Sequence, residues 1–122
     1  MVDDSAAVRD AICHFVTRDT PFKNCYEAGQ GIPAIETARE HPPALVILEL
    51  SLPMLDGVET ASALRRMLPG TKIIGLSMFD GEFRKTQIAA AGFDMILSKH
   101  EGLAKLAEAI NALLPSPDPL SS

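Results

Sequence analysis

Apolar residues along this chain alternate between two patterns, a helical stripe recurring every three to four positions and an unbroken run of five or six. Ser5 can cap a helix in which Val8, Ile12, Phe15 and Val16 form one apolar face, and Thr20-Pro21 ends it. Phe22 to Tyr26 reads as a strand, less apolar than the others and so placed at the sheet edge. Gly31, Pro33 near the first turn, and Ile32, Ile35 and Ala38 predict a short helix stopped by His41-Pro42-Pro43. The run Leu45 to Leu50 is too short for a helix and reads as a strand buried on both faces. Val58, Ala61, Leu64 and Leu68 mark a third helix closed by Pro69-Gly70, and Lys72 to Ser77 is a second apolar strand. Phe83 to Ala91 follows as a weaker helix and Asp94 to Leu97 as a last strand. Leu103, Leu106, Ala107, Ile110, Leu113 and Leu114 then give a strong amphipathic helix. With Val2 in a very short first strand, the alternation predicts an α/β domain with a parallel sheet, right-handed crossovers and helices on both faces. The domain spans 1–114, and the Pro/Ser-rich segment 115–122 reads as a linker or tail.

Composition narrows what such a domain can do. At 122 residues the chain fits one domain, and its 47% hydrophobic and 22% charged content is that of an ordinary globular protein. No apolar run approaches the ~20 residues of a membrane span, and Asp3 and Asp4 stand where a secretory signal would be basic, so a cytoplasmic protein is expected. A net charge of -5 with scattered basic residues argues against nucleic acid as a partner of this domain itself. Cys13 and Cys25 lack metal or redox-motif spacing and read as reduced core thiols; the three histidines are too dispersed for a zinc site.

The chemistry gathers where strands end. Asp3-Asp4 follows the first strand, Glu49 ends the third, Ser77 the fourth and Lys99 the fifth. In open α/β sheets ligands bind just beyond these carboxyl ends. Adjacent acids after a strand are as often a helix cap as a site, and a lone serine says little. Together with Pro53 and Asp56-Gly57 in the loop after Glu49, however, carboxylates for a hard divalent cation, a hydroxyl and a lysine make a phosphoryl-handling set.

On these residues the chain resembles the receiver domain of two-component response regulators, a three-layer flavodoxin-like fold with a doubly wound parallel five-stranded sheet in the order 2-1-3-4-5. The family's acidic pair, D-x-x-x-P-x-x-D-G motif, Ser/Thr and Lys fall on Asp3-Asp4, the segment from Glu49 through Pro53 to Asp56-Gly57, Ser77 and Lys99. The loops look most like receivers that precede a LuxR/NarL-type helix-turn-helix output. The resemblance implies that Asp4, assisted by Asp3, Glu49 and the Ser51 carbonyl, would hold Mg2+, and that Ser77 and Lys99 would contact a phosphoryl group. It implies a histidine kinase or other signalling protein as partner, an output DNA-binding domain outside this chain, and dimerisation or docking through Arg84 to Ala91 and Gly102 to Leu114.

Three positions depart from the family. Glu49 stands at the phospho-acceptor position in place of Asp, which sets the carboxylate roughly 1.5 Å further out on a side chain with one more rotatable bond. In-line transfer loses on the order of 100-fold for a ~1 Å displacement, so phosphorylation is expected to be absent or impaired. Glu49 also mimics a phosphate only in part, with about one charge against roughly 1.5 to 2, and it brings Mg2+ binding into question. Ile96 occupies the switch position, usually aromatic, so the coupled movement of that ring with Ser77 is lost. The chain begins at Met1-Val2 where the family has several more apolar residues, so either residues precede Met1 or the gap is filled otherwise, for example by another chain, and a chain of these 122 residues alone is expected to be a weak monomer with unpaired ladder groups.

The sequence therefore points to a receiver-type signalling domain that regulates transcription through an output domain. The alternatives are a non-phosphorylated scaffold or adaptor and, less favoured because the short loops leave little chain for a substrate pocket, a Mg2+-dependent phosphoryl-transfer enzyme.

Overall fold

The computed structural model describes residues 1–50, 57–77, 92–98 and 102–113. In chain order these form α1 (Ala6–Asp19), α2 (Gly31–Glu40), β1 (Leu45–Glu49), α3 (Gly57–Met67), β2 (Lys72–Ser77), β3 (Met95–Ser98) and α4 (Leu103–Leu113). The helix expected over 83–91 and the tail 115–122 lie outside the described residues. The caps are those the sequence suggests: the Ser5 hydroxyl accepts from Val8 N–H at 3.3 Å, and at the other end Thr20 N–H and hydroxyl both donate to the Val16 carbonyl.

β1, β2 and β3 form a parallel sheet in that order, with Leu45 opposite Lys72 and Ile74 opposite Met95. β1 and β2 are buried almost throughout, and alternate residues feed two separate cores. On one face Val46, Leu48 and Ile73 meet Ala34 and Ala38 of α2 and Ala61 and Leu64 of α3. On the other, Ile47, Ile74, Leu76 and Leu97 meet Ile12, Phe15 and Val16 of α1 and Leu106, Ala109 and Ile110 of α4. The result is the three-layer arrangement expected of a doubly wound sheet.

The first strand is reduced to one residue. Val2 makes parallel bridges to Ala28 on one side and Leu48 on the other, so the spatial order runs Ala28, Val2, β1, β2, β3, the reduced form of 2-1-3-4-5. Its N–H donates to the Ile47 carbonyl (2.8 Å) and its carbonyl accepts from Glu49 N–H (2.9 Å). Asp3 N–H donates to Ala28, and Ala28 N–H to Met1. The Met1 ammonium donates to the Tyr26 carbonyl (2.8 Å). The stub is therefore paired on both sides for as far as it extends.

Three expectations need correction. Residues 22–26 form no strand; the chain joins Val2 by a single bridge at Ala28 and by the Tyr26 carbonyl, which accepts from Met1, and one bridge is not a ladder. Cys13 and Cys25 are not reduced thiols but a disulfide, with Cα atoms 5.6 Å apart. The segment after α1 doubles back along that helix, a proximity that a spacing of 12 residues does not announce. Ile32, expected on the buried face of α2, is 54% exposed; that face is made by Ala34 and the expected Ala38, with the expected Ile35 packed against the core. Arg65, one of the basic residues that looked scattered, is fixed among the carbonyls of Pro69, Thr71 and Gly92 and the Asp94 carboxylate, which also accepts from Ile73 N–H. It ties the loops entering β2 and β3 together.

Two measurements follow from this packing. Closing the loop between Cys13 and Cys25 stabilises the fold by about 3 kcal/mol in the chain-entropy estimate. Reduction, or Cys13→Ser, is expected to lower the urea-unfolding free energy by about that amount, and an unchanged midpoint would show that the bridge contributes nothing. Burial pushes the Met1 amine down from its usual 8.0 to about 6, partly opposed by Glu27 and reinforced by Arg9. Between those values the unfolded chain binds more protons than the folded one, so stability of the 122-residue chain rises from about pH 6 to 8. N-terminal acetylation should remove that part of the slope; the same slope in the acetylated chain would assign it to other groups.

Candidate functional site

The carboxyl edge of the sheet collects three buried polar side chains from three adjacent strands. Asp3 leaves Val2, Glu49 ends β1 and Ser77 ends β2, with exposures of 1%, 3% and 5%. Glu49 is opposite Leu76 in the β1–β2 register, which puts Ser77 one residue beyond it, and Ser77 is opposite Ser98 at the end of β3. Asp4 is exposed. Lys99, Ser51, Pro53 and Asp56 lie outside the described residues.

Asp3 is held by local structure. Asp3 Oδ1 accepts from Ser5 N–H at 2.8 Å, so this carboxylate also orders the entry to α1. Arg9, one turn into α1, donates from Nη1 to the Asp3 carbonyl (2.7 Å) and from Nε to Glu27 (3.3 Å), clamping the strand end against the neighbouring segment. The sequence reading passed over Arg9. Its signal was positional, since helical side chains lean toward the N-terminus and a residue four places after the cap reaches back to the strand end.

Gly57 sets the back wall. Its N–H donates to the Leu50 carbonyl at 3.0 Å, and a Cβ there would overlap Leu50 Cα and come within 2.6 Å of the Glu49 carbonyl oxygen. Leu50 N–H in turn donates to the Leu76 carbonyl. The backbone around Glu49 is thus pinned from both sides, and the extra methylene of the glutamate has to be taken up at its carboxylate end.

Ile96 pairs with Gly75 across β2 and β3. A Cβ on Gly75 would lie 2.6 Å from Ile96 Cδ1 and 2.9 Å from Phe93 Cε1. The glycine gives the isoleucine its room, a close approach that a Gly inside a strand signals.

Asp3 and Glu49 offer the oxygen donors a hard divalent cation prefers. Yet among the described residues no three carboxylate, histidine or cysteine side chains stand close enough to hold a metal ion.

The chain matches the response regulator receiver domain over residues 1–111, and it belongs to that family. It is 32% identical over 114 residues to the transcriptional activator protein ExaE of Pseudomonas putida, covering 93% of this chain and 53% of that protein. It is 27% identical over 114 residues to the chemotaxis protein CheY of Halobacterium salinarum, covering 93% of each. Among solved structures, a LuxR-family two-component response regulator from Aurantimonas sp. SI85-9A1 superposes with a TM-score of 0.84 at 27% identity, over 92% of this chain and 80% of that one. The chain spans about half the length of the first transcription regulators it matches. A receiver domain is a signalling module, not an enzyme; such domains interact with histidine kinases and output domains, and generally bind Mg2+ at the acceptor site. No described helix is long and apolar enough to cross a membrane.

Gly57→Ala tests the back wall. The methyl group meets backbone rather than a movable side chain, so a loss of about 1–3 kcal/mol is expected in urea unfolding. A variant as stable as the parent would mean that α3 can retreat from β1 without consequence.

Proposed function

We propose that this receiver domain relays a signal to a DNA-binding output domain outside the chain, and that it does so with phosphoryl transfer at Glu49 absent or strongly impaired. The observation that supports the reading is that Glu49 is buried at the carboxyl end of β1, on the same sheet edge as Asp3 and Ser77, with its backbone pinned by Gly57 and β2. A carboxylate displaced by one methylene cannot recover the in-line geometry by backbone retreat there. Its charge is then carried toward the ground that phosphoryl oxygens would occupy, near Ser77.

The transcriptional role is supported by the relatives that are themselves transcription regulators. Mg2+, if it binds, engages Asp4, Asp3 and the Ser51 carbonyl, and Glu49 weakens it. A histidine kinase or another signalling protein docks on the domain, a homodimer forms through the face that includes the last helix, and residues 115–122 lead toward the output. The domain works in the cytoplasm, where the Cys13–Cys25 bridge makes its redox state worth assaying, since cytosolic disulfides are uncommon.

A second reading, an unswitched scaffold, is favoured by one specific contact. Ile96 fills the space above Gly75 with a side chain that has neither ring nor hydroxyl to exchange positions with Ser77.

Incubation with a small phosphodonor and Mg2+, read by intact mass, separates these cases. The parent chain is expected to gain nothing, and Glu49→Asp to gain one phosphoryl group. Phosphorylation of the parent would overturn the proposal, and failure of Glu49→Asp would place the defect elsewhere in the site.

A further inference from the structure

Arg9 and Cys13 stand four residues apart on α1, on one face of the helix and with a rise of about 6 Å between them. Each is tied to the segment that follows the helix. Cys13 carries the bridge to Cys25, and Arg9 Nε donates to the Glu27 carboxylate at 3.3 Å. Two residues of chain span at most about 7 Å, so Cys25 and Glu27 meet α1 as neighbouring rungs. The rung at Arg9 continues into the site. Arg9 Nη1 donates to the Asp3 carbonyl at 2.7 Å, and Asp3 Oδ1 accepts from Ser5 N–H at 2.8 Å.

The two rungs are unequal in strength. Closing a loop over a sequence separation of 12 confines Glu27 near Arg9. Without the bridge, Arg9 and Glu27 are left as a partly exposed ion pair, with side-chain exposures of 19% and 35%, and pairs near the surface contribute only ~0–1 kcal/mol. The two sulfurs also differ in access. Cys13 is buried, whereas Cys25 is half-buried beside the exposed Tyr26.

We infer that Cys13–Cys25 is a redox-operated latch on the carboxyl edge of the sheet. Closed, it holds Glu27 against Arg9 and, through Arg9, the Asp3 carbonyl; open, it lets Arg9 and Asp3 shift while the two cores stay packed. Its reagents are a low-molecular-weight monothiol and the matching disulfide. A thiolate attacks Cys25 Sγ, the more open sulfur; the Cys13–Cys25 bond breaks, and Cys13 leaves as a thiolate and takes up a proton. A second thiolate attacks the monothiol sulfur of the mixed disulfide, and Cys25 leaves and is protonated. The two monothiols, having supplied two electrons, depart as a disulfide, and the same exchange run backward closes the latch. The setting is the cytoplasm proposed above, where disulfides that form are usually transient or redox-sensing. The phosphoryl chemistry at Glu49 does not enter.

The test equilibrates the isotope-labelled chain in mixtures of reduced and oxidised glutathione and follows its N–H peaks by NMR. Closed and open sets are expected, with the Arg9 Nε–H and the Asp3 and Ser5 amides displaced by more than a line width between them. The Leu50 and Lys72 amides, which bond across β1 and β2, should stay in place. Two thiols enter per bridge, so tenfold more glutathione at fixed glutathione disulfide raises the open-to-closed ratio about 100-fold. Cys25→Ser should show the open positions in every mixture. Glu27→Ala removes the second rung and keeps the bridge, so it should open and close as the parent does while Asp3 and Ser5 move less than half as far. Displacements confined to residues 13–28 overturn the latch, as do Asp3 and Ser5 movements undiminished in Glu27→Ala. A bridge that never forms, or stays closed in every mixture, also overturns it. So does collapse of the whole spectrum on reduction, which would make the bridge a staple of the fold. None of these outcomes bears on the mass test of Glu49, which is read separately.

Discussion

The carboxyl edge of this domain depends on a single residue being held between two neighbours. Val2 has no strand of its own to lend it stiffness, yet its N–H and carbonyl are both committed to β1, and the residues on either side of it are committed to Ala28. That double pairing fixes where Asp3 emerges, and Asp3 then orders α1 through Ser5 while Arg9 returns from α1 to hold the Asp3 carbonyl. Backbone hydrogen bonds suit this task because they are directional and costly to leave unmade once buried. A loss at Val2 would release the strand end, the helix start and one wall of the site together.

The same rigidity underlies the reading proposed for Glu49. In a loose loop a glutamate could draw back and offer its carboxylate where an aspartate would. Here Gly57 lies against the Glu49 and Leu50 backbone, and Leu50 is bonded to β2. Under the function proposed above, an acid that conserves charge at this point changes position, and in phosphoryl transfer position is most of what the protein supplies. At the other side of the sheet edge Ile96 fills the room that Gly75 leaves across β2 and β3.

Much of the architecture could be read from spacing. The stripes of α1, α3 and α4 and the runs of β1 and β2 each satisfy one period, and the caps at Ser5 and Thr20 lie where turn chemistry puts them. Where the reading failed, the cause was a neighbour distant in sequence. Residues 22–26 have strand-like composition, but a strand needs a ladder, and Val2 offers only one rung. Ile32 belongs to the stripe by spacing, while the close approach of α2 and α3 is made by alanines and leaves it outside. Cys13 and Cys25 had no motif to announce them, since what pairs them is the doubling back of the chain along α1.

The order of residues by itself determined the alternation of helix and strand, the family, and the chemical types at the strand ends, because these rest on local period and on motif spacing. Only the tertiary structure decided that Asp3, Glu49 and Ser77 share one buried edge, that Gly57 packs against the backbone of Glu49 and Leu50, and that Cys13 and Cys25 meet. Each of those depends on distance between segments far apart in the chain, and distance across a fold is a property of packing that no single stretch of sequence contains.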